Sequence, residues 1–215
     1  ECARLGLDLW ILDEGSYPSG FADGHVTDDH PEFRSKALRV AKEAVLADGE
    51  SFEFTATAEP VVGIVASRSA DSARAPETLD LTPLLSEGQF RWQCTDGPWQ
   101  VRAFVQRLES HACRSISGGG RKDNTHSLPD YLRPDATGRF LEVTHEQYAR
   151  HIGEHFGATV KGFFGDEPCL PRLPWTDAFL REFRRQKGYD LRPHLPALVG
   201  APHPGVETIR GAGQP

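Results

Sequence analysis

Two short apolar segments, each followed within one residue by two acidic residues, constrain the fold of this chain most strongly. Residues 7–12 run into Asp13 and Glu14, and residues 160–164 run into Asp166 and Glu167. Both segments have the length and composition of buried strands, and a loop and a predicted helix follow each of them. A repeated unit of strand, loop and helix is typical of a parallel β/α fold, in which functional groups lie at the carboxyl ends of the strands. The sequence therefore predicts an α/β protein that contains part of a (β/α)₈ TIM-type barrel.

The pattern of apolar and turn residues divides the chain into four segments. Residues 1–50 are predicted as the first part of the barrel, residues 51–110 as an inserted, small β-sandwich-like region, residues 111–192 as the continuation of the barrel, and residues 193–215 as an irregular tail. The inserted region alternates apolar and polar residues between turns, which is the period of half-buried strands.

Three helices are predicted from their start signals and their apolar spacing. The first begins at Asp29, which can cap a helix with Pro31 in its first turn, and it ends near Asp48. The second begins at Pro134 and the third near Thr176. These helices would supply the helical half of the predicted β/α units.

The net charge of −7, from 24 basic and 31 acidic residues, restricts the partners of the protein. A nucleic acid is disfavoured, because its phosphate backbone requires a basic face. A membrane partner is disfavoured too, because no apolar run approaches the roughly 18–20 residues that cross a bilayer. The composition is compatible with a neutral partner such as a carbohydrate. No signal segment opens the chain, which favours a cytoplasmic location.

The acidic strand ends are the candidate active site. A carboxylic acid at a strand end can donate a proton to a leaving glycosidic oxygen, and we predict this role for Glu167. Glycoside hydrolysis needs a second carboxylate, for which Glu14 is the candidate in this chain. The predicted substrate-binding residues are the neighbouring acids and aromatic side chains, Asp13, Asp166, Trp10 and Tyr17. This chemistry requires no cofactor, although Asp13 and Glu14 together could hold calcium, which binds oxygen ligands.

Other interpretations of the same residues stay open at this stage. Acids that follow a strand are often solvated loop residues or helix caps. The chain could be a catalytically inactive fragment or a carbohydrate-binding or structural module, which the β-rich insertion favours. A metal-dependent hydrolase of another class would use Asp13, Glu14 and Asp166.

Three blocks of sequence, read together, resemble glycoside hydrolase family 106, the α-L-rhamnosidase-like enzymes. Residues 7–24, LDLWILDEGSYPSGFADG, are similar to the family pattern W-x-Y-D-E-x-x-x-P-S-G-x-A-G-G. Residues 79–105, from LDLTPLL to RWQCTDGPWQVRAFV, are similar to a β insertion that these proteins carry. Residues 130–168 end in FFGDEP and are similar to a second hallmark, which typically ends in F-T-D-E-P.

The resemblance implies a catalytic β/α barrel that acts on glycosides, with Glu167 as a catalytic carboxylate from its place in the D-E-P motif. It implies a substrate- or calcium-binding role for Asp13 and Glu14, which stand where the family has its Y-D-E acids. Two departures from the pattern indicate either a different choice of sugar or a relaxed constraint at these positions: Leu12 replaces the usual Tyr, and Gly165 replaces the usual Thr.

The length of the chain bears on how much of a barrel it can hold. A closed (β/α)₈ barrel takes roughly 250 residues before insertions. The chain has 215 residues and no Met, and part of that length belongs to the predicted insertion. We therefore expect an internal piece of a larger enzyme.

Overall fold

The computed structural model describes residues 1–13, 16–69, 76–109, 114–115 and 128–200. The strands are β1 (Leu9–Leu12), β2 (Ser16–Tyr17), β3 (Lys36–Leu46), β4 (Ser51–Thr55), β5 (Val61–Arg68), β6 (Glu77–Asp80), β7 (Gln89–Gln93), β8 (Trp99–Leu108), β9 (Arg114–Ser115), β10 (Val160–Phe164) and β11 (Pro174–Trp175). The α-helices are α1 (Cys2–Leu5), α2 (Pro134–Val143), α3 (His145–Ile152), α4 (Phe179–Lys187) and α5 (Leu195–Leu198). No helix within these ranges is long and apolar enough to cross a membrane.

The chain forms two compact units, each built from two separate stretches of sequence. The first unit combines Glu1–Ala37 with Leu108–Thr176. The second unit combines Leu38–Arg107 with Asp177–Pro215.

The first unit contains the parallel strand pair that carries the acidic residues. β1 pairs with β10 in parallel, and Leu12 lies opposite Phe164 at the end of the ladder. One face of this pair is covered by aromatic residues of α3, because the ring of Phe163 lies 4.2 Å from the ring of His145 and 5.8 Å from that of Tyr148, centroid to centroid. The antiparallel pair of β2 and β9 belongs to the same unit, and β11 pairs antiparallel with the first two residues of β3.

Helix α2 packs on a small apolar core of the first unit. It begins at Pro134, where a proline costs nothing because the first N–H groups of a helix have no partner within it. The core contains Ala22, Val26, Phe33 and Ala136, with Phe140 and Val143 packed against them. This packing fixes the helix beside the loop that follows β1 and β2.

The second unit is an antiparallel β structure with its own core. The strand order in its main sheet is β3–β8–β5–β6, with β5 antiparallel to both β8 and β6, and β4 pairs antiparallel with β7. Its core is built from aromatic and branched side chains, including Phe52, Ile64, Phe90, Trp99 and Val101. Helix α4 belongs to this unit and ends at Gly188, whose φ of +81° is a left-handed conformation that glycine adopts freely.

The predicted (β/α)₈ TIM-type barrel is wrong for this chain. In the described ranges most strands lie in antiparallel sheets, the helices are few and short, and the parallel pair of β1 and β10 is a two-stranded sheet of its own. The largest single error is the helix predicted from Asp29 to Asp48, because residues 36–46 form β3. Ala, Lys, Glu and Leu favour a helix by a few tenths of a kcal/mol per residue, and hydrogen bonding of β3 to β8 outweighs that preference.

Several local predictions are confirmed. Strands β4 to β8 lie in the region predicted to be β-rich, β10 covers residues 160–164 as expected, and α2 begins at Pro134. The third predicted helix is α4, which starts three residues later than expected. The residue limits of the four predicted segments stay a prediction.

Candidate active site

The ends of β1 and β10 bring two of the predicted acidic positions together. The backbone N–H of Asp13 donates to the carbonyl oxygen of Phe164 at 3.0 Å, so the parallel ladder continues one residue beyond β1. Gly165 and Asp166 follow directly on the neighbouring strand. Since the carboxyl ends of parallel strands meet at one edge of a sheet, the two acidic segments start side by side.

Ser19 connects the two strand ends through three hydrogen bonds. Its Oγ donates to Asp13 Oδ1 at 2.9 Å and accepts from the backbone N–H of Asp166 at 2.6 Å. Its own N–H donates to the carbonyl oxygen of Asp166 at 3.0 Å. Ser19 is buried, so these bonds are shielded from water, and they fix both Asp13 and the backbone of Asp166.

Tyr131 holds the loop that carries Ser19. Its phenolic O–H donates to the carbonyl oxygen of Ser19. The ring lies against Gly20, where a β carbon would stand 2.6 Å from Tyr131 Cε1. Gly20 also has a φ of +98°, so position 20 favours glycine for its backbone conformation and requires the absence of a side chain.

Gly165 makes room for the Asp13 carboxylate. A β carbon at position 165 would lie 3.1 Å from Asp13 Oδ2 and 3.5 Å from Ser19 Oγ. A side chain here would push the carboxylate aside by a few tenths of an ångström. The glycine that replaces the threonine of the family pattern therefore lets the carboxylate approach the backbone of the neighbouring strand.

Glu167 is exposed and has an uncommon backbone conformation. Its φ is +32°, in the left-handed region that costs a residue with a side chain about 1–3 kcal/mol. Such strain persists only where the surrounding structure imposes it, and it is enriched at functional sites. Asp166, one residue earlier, is half-buried, so the two acids have different surroundings.

The remaining predicted site residues are placed as follows. Glu14 lies outside the described residues, and of Tyr17 only the backbone, paired in β2, is described. Trp10 is 63% exposed, and its indole lies on Gly162, where a β carbon would meet Trp10 Cζ3 at 2.7 Å. In the described part of the chain, no group of three or more His, Cys, Asp or Glu residues is placed to hold a metal ion, and the calcium site stays a prediction because it includes Glu14.

Ser19, Tyr131 and Gly165 are structural members of the site that the sequence analysis did not assign to it. The Pro-Ser-Gly turn of the first motif was a usable signal for Ser19, because a polar residue between turn formers often bonds to nearby backbone. Tyr131 carries no comparable local signal, since the oxygen it bonds lies 112 residues earlier.

The family model described as α-L-rhamnosidase, glycoside hydrolase family 106, matches residues 26–203 of the chain. The chain belongs to this family. Family 106 membership implies a carbohydrate substrate, and the matched range includes the Asp166–Glu167 strand end and Tyr131, whereas Asp13 and Ser19 precede it. No curated protein sequence matches the chain.

Proposed function

We propose that this chain acts in the hydrolysis of α-L-rhamnosides and that Glu167 is the general acid. Membership of the α-L-rhamnosidase family supports this, and the observation that carries it is that Ser19 joins Asp13 to Asp166, the residue before Glu167, at neighbouring strand ends. Carboxylates grouped at one site are what glycosidic cleavage requires, because the leaving oxygen needs a proton and the anomeric carbon needs an attacking group.

In this proposal the two adjacent acids on β10 have different roles. Glu167 is exposed, so its carboxyl group can reach a substrate and donate its proton to the leaving oxygen. Asp166 is half-buried and its backbone is bonded to Ser19, which suits a residue that positions the sugar. Asp13, held by the same Ser19, also binds substrate.

The second carboxylate in this proposal is Glu14, which follows Asp13 directly. The separation of its carboxyl group from that of Glu167 decides the stereochemistry of the reaction. Carboxylates about 5–5.5 Å apart give retention, and a separation of about 6.5–9.5 Å leaves room for water and gives inversion. The anomeric configuration of the first-formed sugar, followed by NMR, would distinguish the two outcomes.

Substitution of Glu167 tests the proposal most directly. We expect Glu167→Gln to lower kcat on phenyl α-L-rhamnoside by about 10²–10⁴-fold, the usual contribution of a general acid. The loss should be much smaller on 2,4-dinitrophenyl α-L-rhamnoside, because that leaving group departs without a proton. Glu154→Gln, at an exposed carboxylate in the same unit, is the matched control and should keep full activity. Unchanged activity of Glu167→Gln on both substrates would refute the assignment.

Glu14→Gln should behave differently from Glu167→Gln. Because attack on the anomeric carbon or activation of water is needed whatever the leaving group, Glu14→Gln should lower the rate on both substrates alike. Calcium, if held by Asp13 and Glu14, would be detected as a fall in Tm on addition of EDTA that calcium reverses.

A non-catalytic carbohydrate-binding role is the second candidate, and a groove in the second unit favours it. The groove has a volume of about 810 Å³ and is lined by hydrogen-bonding side chains beside Phe54, among them Lys42, Gln89 and Arg91. Binding of rhamnose-containing oligosaccharides by calorimetry, with no hydrolysis of any aryl rhamnoside by the wild-type protein, would support this role over catalysis.

A further inference from the structure

An apolar pocket lies in the first unit beside the strand-end acids. Its volume is about 310 Å³. Helix α2 supplies one wall through Ala136, Thr137 and Phe140, and the ring of Tyr131 supplies another. Pro168 also lines the pocket.

The pocket and the acid site share wall residues. Ser19 and Gly165 line the pocket, and the same Ser19 donates to Asp13 while Gly165 lies against the Asp13 carboxylate. Pro168 follows Glu167 directly in the chain. The pocket therefore adjoins the acid site, so the leaving group of a substrate bound there has an apolar cavity beside it.

The walls of the pocket suit an apolar group rather than a sugar ring. Aromatic, proline, alanine and glycine carbon makes up most of them, and Ser19 and Thr137 are the polar residues among them. The hydroxyl groups of a pyranose would lose their hydrogen bonds to water here without finding replacements, which costs roughly 1–3 kcal/mol for each unpaired group. The sugar itself is therefore disfavoured as the occupant.

The volume of the pocket selects among apolar groups. A methyl group, with a volume of roughly 30 Å³ like that of a water molecule, would leave most of the 310 Å³ empty. An apolar cavity of about 150 Å³ holds one benzene ring. The pocket is thus large enough for two fused aromatic rings, and its volume is at the lower end of the range for small-molecule sites.

We propose that this pocket binds the apolar, aromatic aglycone of the rhamnoside. The proposal rests on the proposed function, since it assigns the leaving-group side of the same site. It makes Thr137 and Phe140 determinants of specificity for aryl rhamnosides over rhamnosides with small or hydrophilic leaving groups.

The test is a substitution at an exposed position of α2 that places a larger side chain in the pocket. Thr137→Phe adds a ring to the pocket wall, and Thr137 is exposed, so the helix can carry the change without disturbing the core. Leu141→Phe, on the same helix and not in the pocket wall, is the matched control. The substrates are 2-naphthyl and methyl α-L-rhamnoside, and the ligand for direct binding is 2-naphthol, followed by its fluorescence.

We expect Thr137→Phe to lower kcat/KM for the naphthyl rhamnoside at least tenfold, to leave the methyl rhamnoside within twofold, and to weaken 2-naphthol binding at least tenfold. Comparing each substrate with itself across variants cancels the difference in leaving-group ability. Equal losses on both substrates would place the sugar in the pocket and overturn the proposal, as would absence of 2-naphthol binding to the wild-type protein.

Measuring 2-naphthol binding apart from hydrolysis shows which of the two proposals fails, the aromatic pocket or the glycosidase. If the wild-type protein hydrolyses no rhamnoside yet binds 2-naphthol in a manner that Thr137→Phe weakens and Leu141→Phe does not, the aromatic pocket stands and the glycosidase proposal fails. If hydrolysis proceeds and 2-naphthol binding is the same in all three proteins, the glycosidase proposal stands and the pocket assignment fails.

Discussion

Ser19 Oγ donates a hydrogen bond of 2.9 Å to Asp13 Oδ1, and through this bond one buried hydroxyl fixes a carboxylate at the end of β1. The same oxygen accepts from the backbone of Asp166 on the neighbouring strand. Because both bonds converge on one atom, a change at Ser19 alters the positions of both acidic strand ends at once.

Ser19→Ala should therefore lower both stability and activity. Removing the hydroxyl leaves the Asp166 N–H and one Asp13 oxygen without their partner, which costs about 1–3 kcal/mol of the free energy of unfolding. We expect rhamnosidase activity to fall by about 10–100-fold, because a misplacement of about 1 Å in an active site can cost about 10²-fold in rate. Urea unfolding and steady-state kinetics measure the two effects. Ser51→Ala, at an exposed serine that opens β4, is the control and should change neither.

Gly165→Thr should impair the site although it restores the usual residue of the family pattern. Its β carbon would lie 3.1 Å from Asp13 Oδ2, so the carboxylate must move. We expect kcat/KM to fall at least tenfold, and Gly165→Ala to cause a smaller loss in the same direction. Gly138→Ala, where a β carbon meets no heavy atom within 4 Å, should stabilise α2 by about 0.5–1 kcal/mol. Higher activity in Gly165→Thr would contradict the assigned role of Gly165.

Asp130 should make the stability of the first unit depend on pH. Burial raises the pKa of its carboxyl group, and hydrogen bonds from the Thr176 side chain and the Leu132 amide, together with the charges of Lys36 and Arg133, oppose that rise only in part. A raised pKa means that the folded state holds the proton more tightly than the unfolded state. The resulting stabilisation is complete below the ordinary pKa of 3.8 and is lost as the pH rises through the folded-state value.

The Asp130→Asn variant tests whether stability changes with pH in this direction. Its amide carries no charge at any pH, and its side-chain oxygen can still accept from the Leu132 amide. The free energy of unfolding of Asp130→Asn minus that of the wild type should rise as the pH increases from about 3.8 and then level off. Chemical denaturation between pH 3 and pH 8 measures the difference. A difference that falls over this interval would show that the neighbouring cations lower the pKa of Asp130 by more than burial raises it.

Trp10 provides a prediction about substrate binding at an exposed aromatic residue. Because Trp10 is 63% exposed, Trp10→Ala should cost little stability. If the indole stacks on a sugar ring, the same substitution should raise KM about fivefold or more with little change in kcat. Gly162→Ala should displace the indole, since its β carbon would lie 2.7 Å from Trp10 Cζ3, and should raise KM in the same way. Unchanged KM in both variants would remove Trp10 from the site.

Much of the local structure was predictable from residue patterns. The apolar run at residues 160–164 forms β10, and the strands from β4 to β8 lie in the region that alternates apolar and polar residues. These strands form because a short apolar run and a period of two both favour an extended chain. Burial is less complete than predicted, since β10 is buried at Val160 whereas Phe164 is 56% exposed. The helix predicted across residues 36–46 fails because its sequence favours a helix only weakly, and pairing with β8 decides its conformation.

The candidate site, too, was predictable from the sequence only in part. The sequence by itself predicted which acids are candidates for the chemistry, since acids that follow short apolar strands are recognisable without a structure, and its resemblance to family 106 is confirmed by the family match. Only the tertiary structure decided that β1 pairs with β10, that Ser19 bonds to a residue 147 positions away, and that Tyr131 and Gly165 complete the site. The physical reason is that local patterns report the burial and the backbone preference of a segment, whereas the partner of each strand and hydroxyl is chosen by long-range packing that no local pattern encodes.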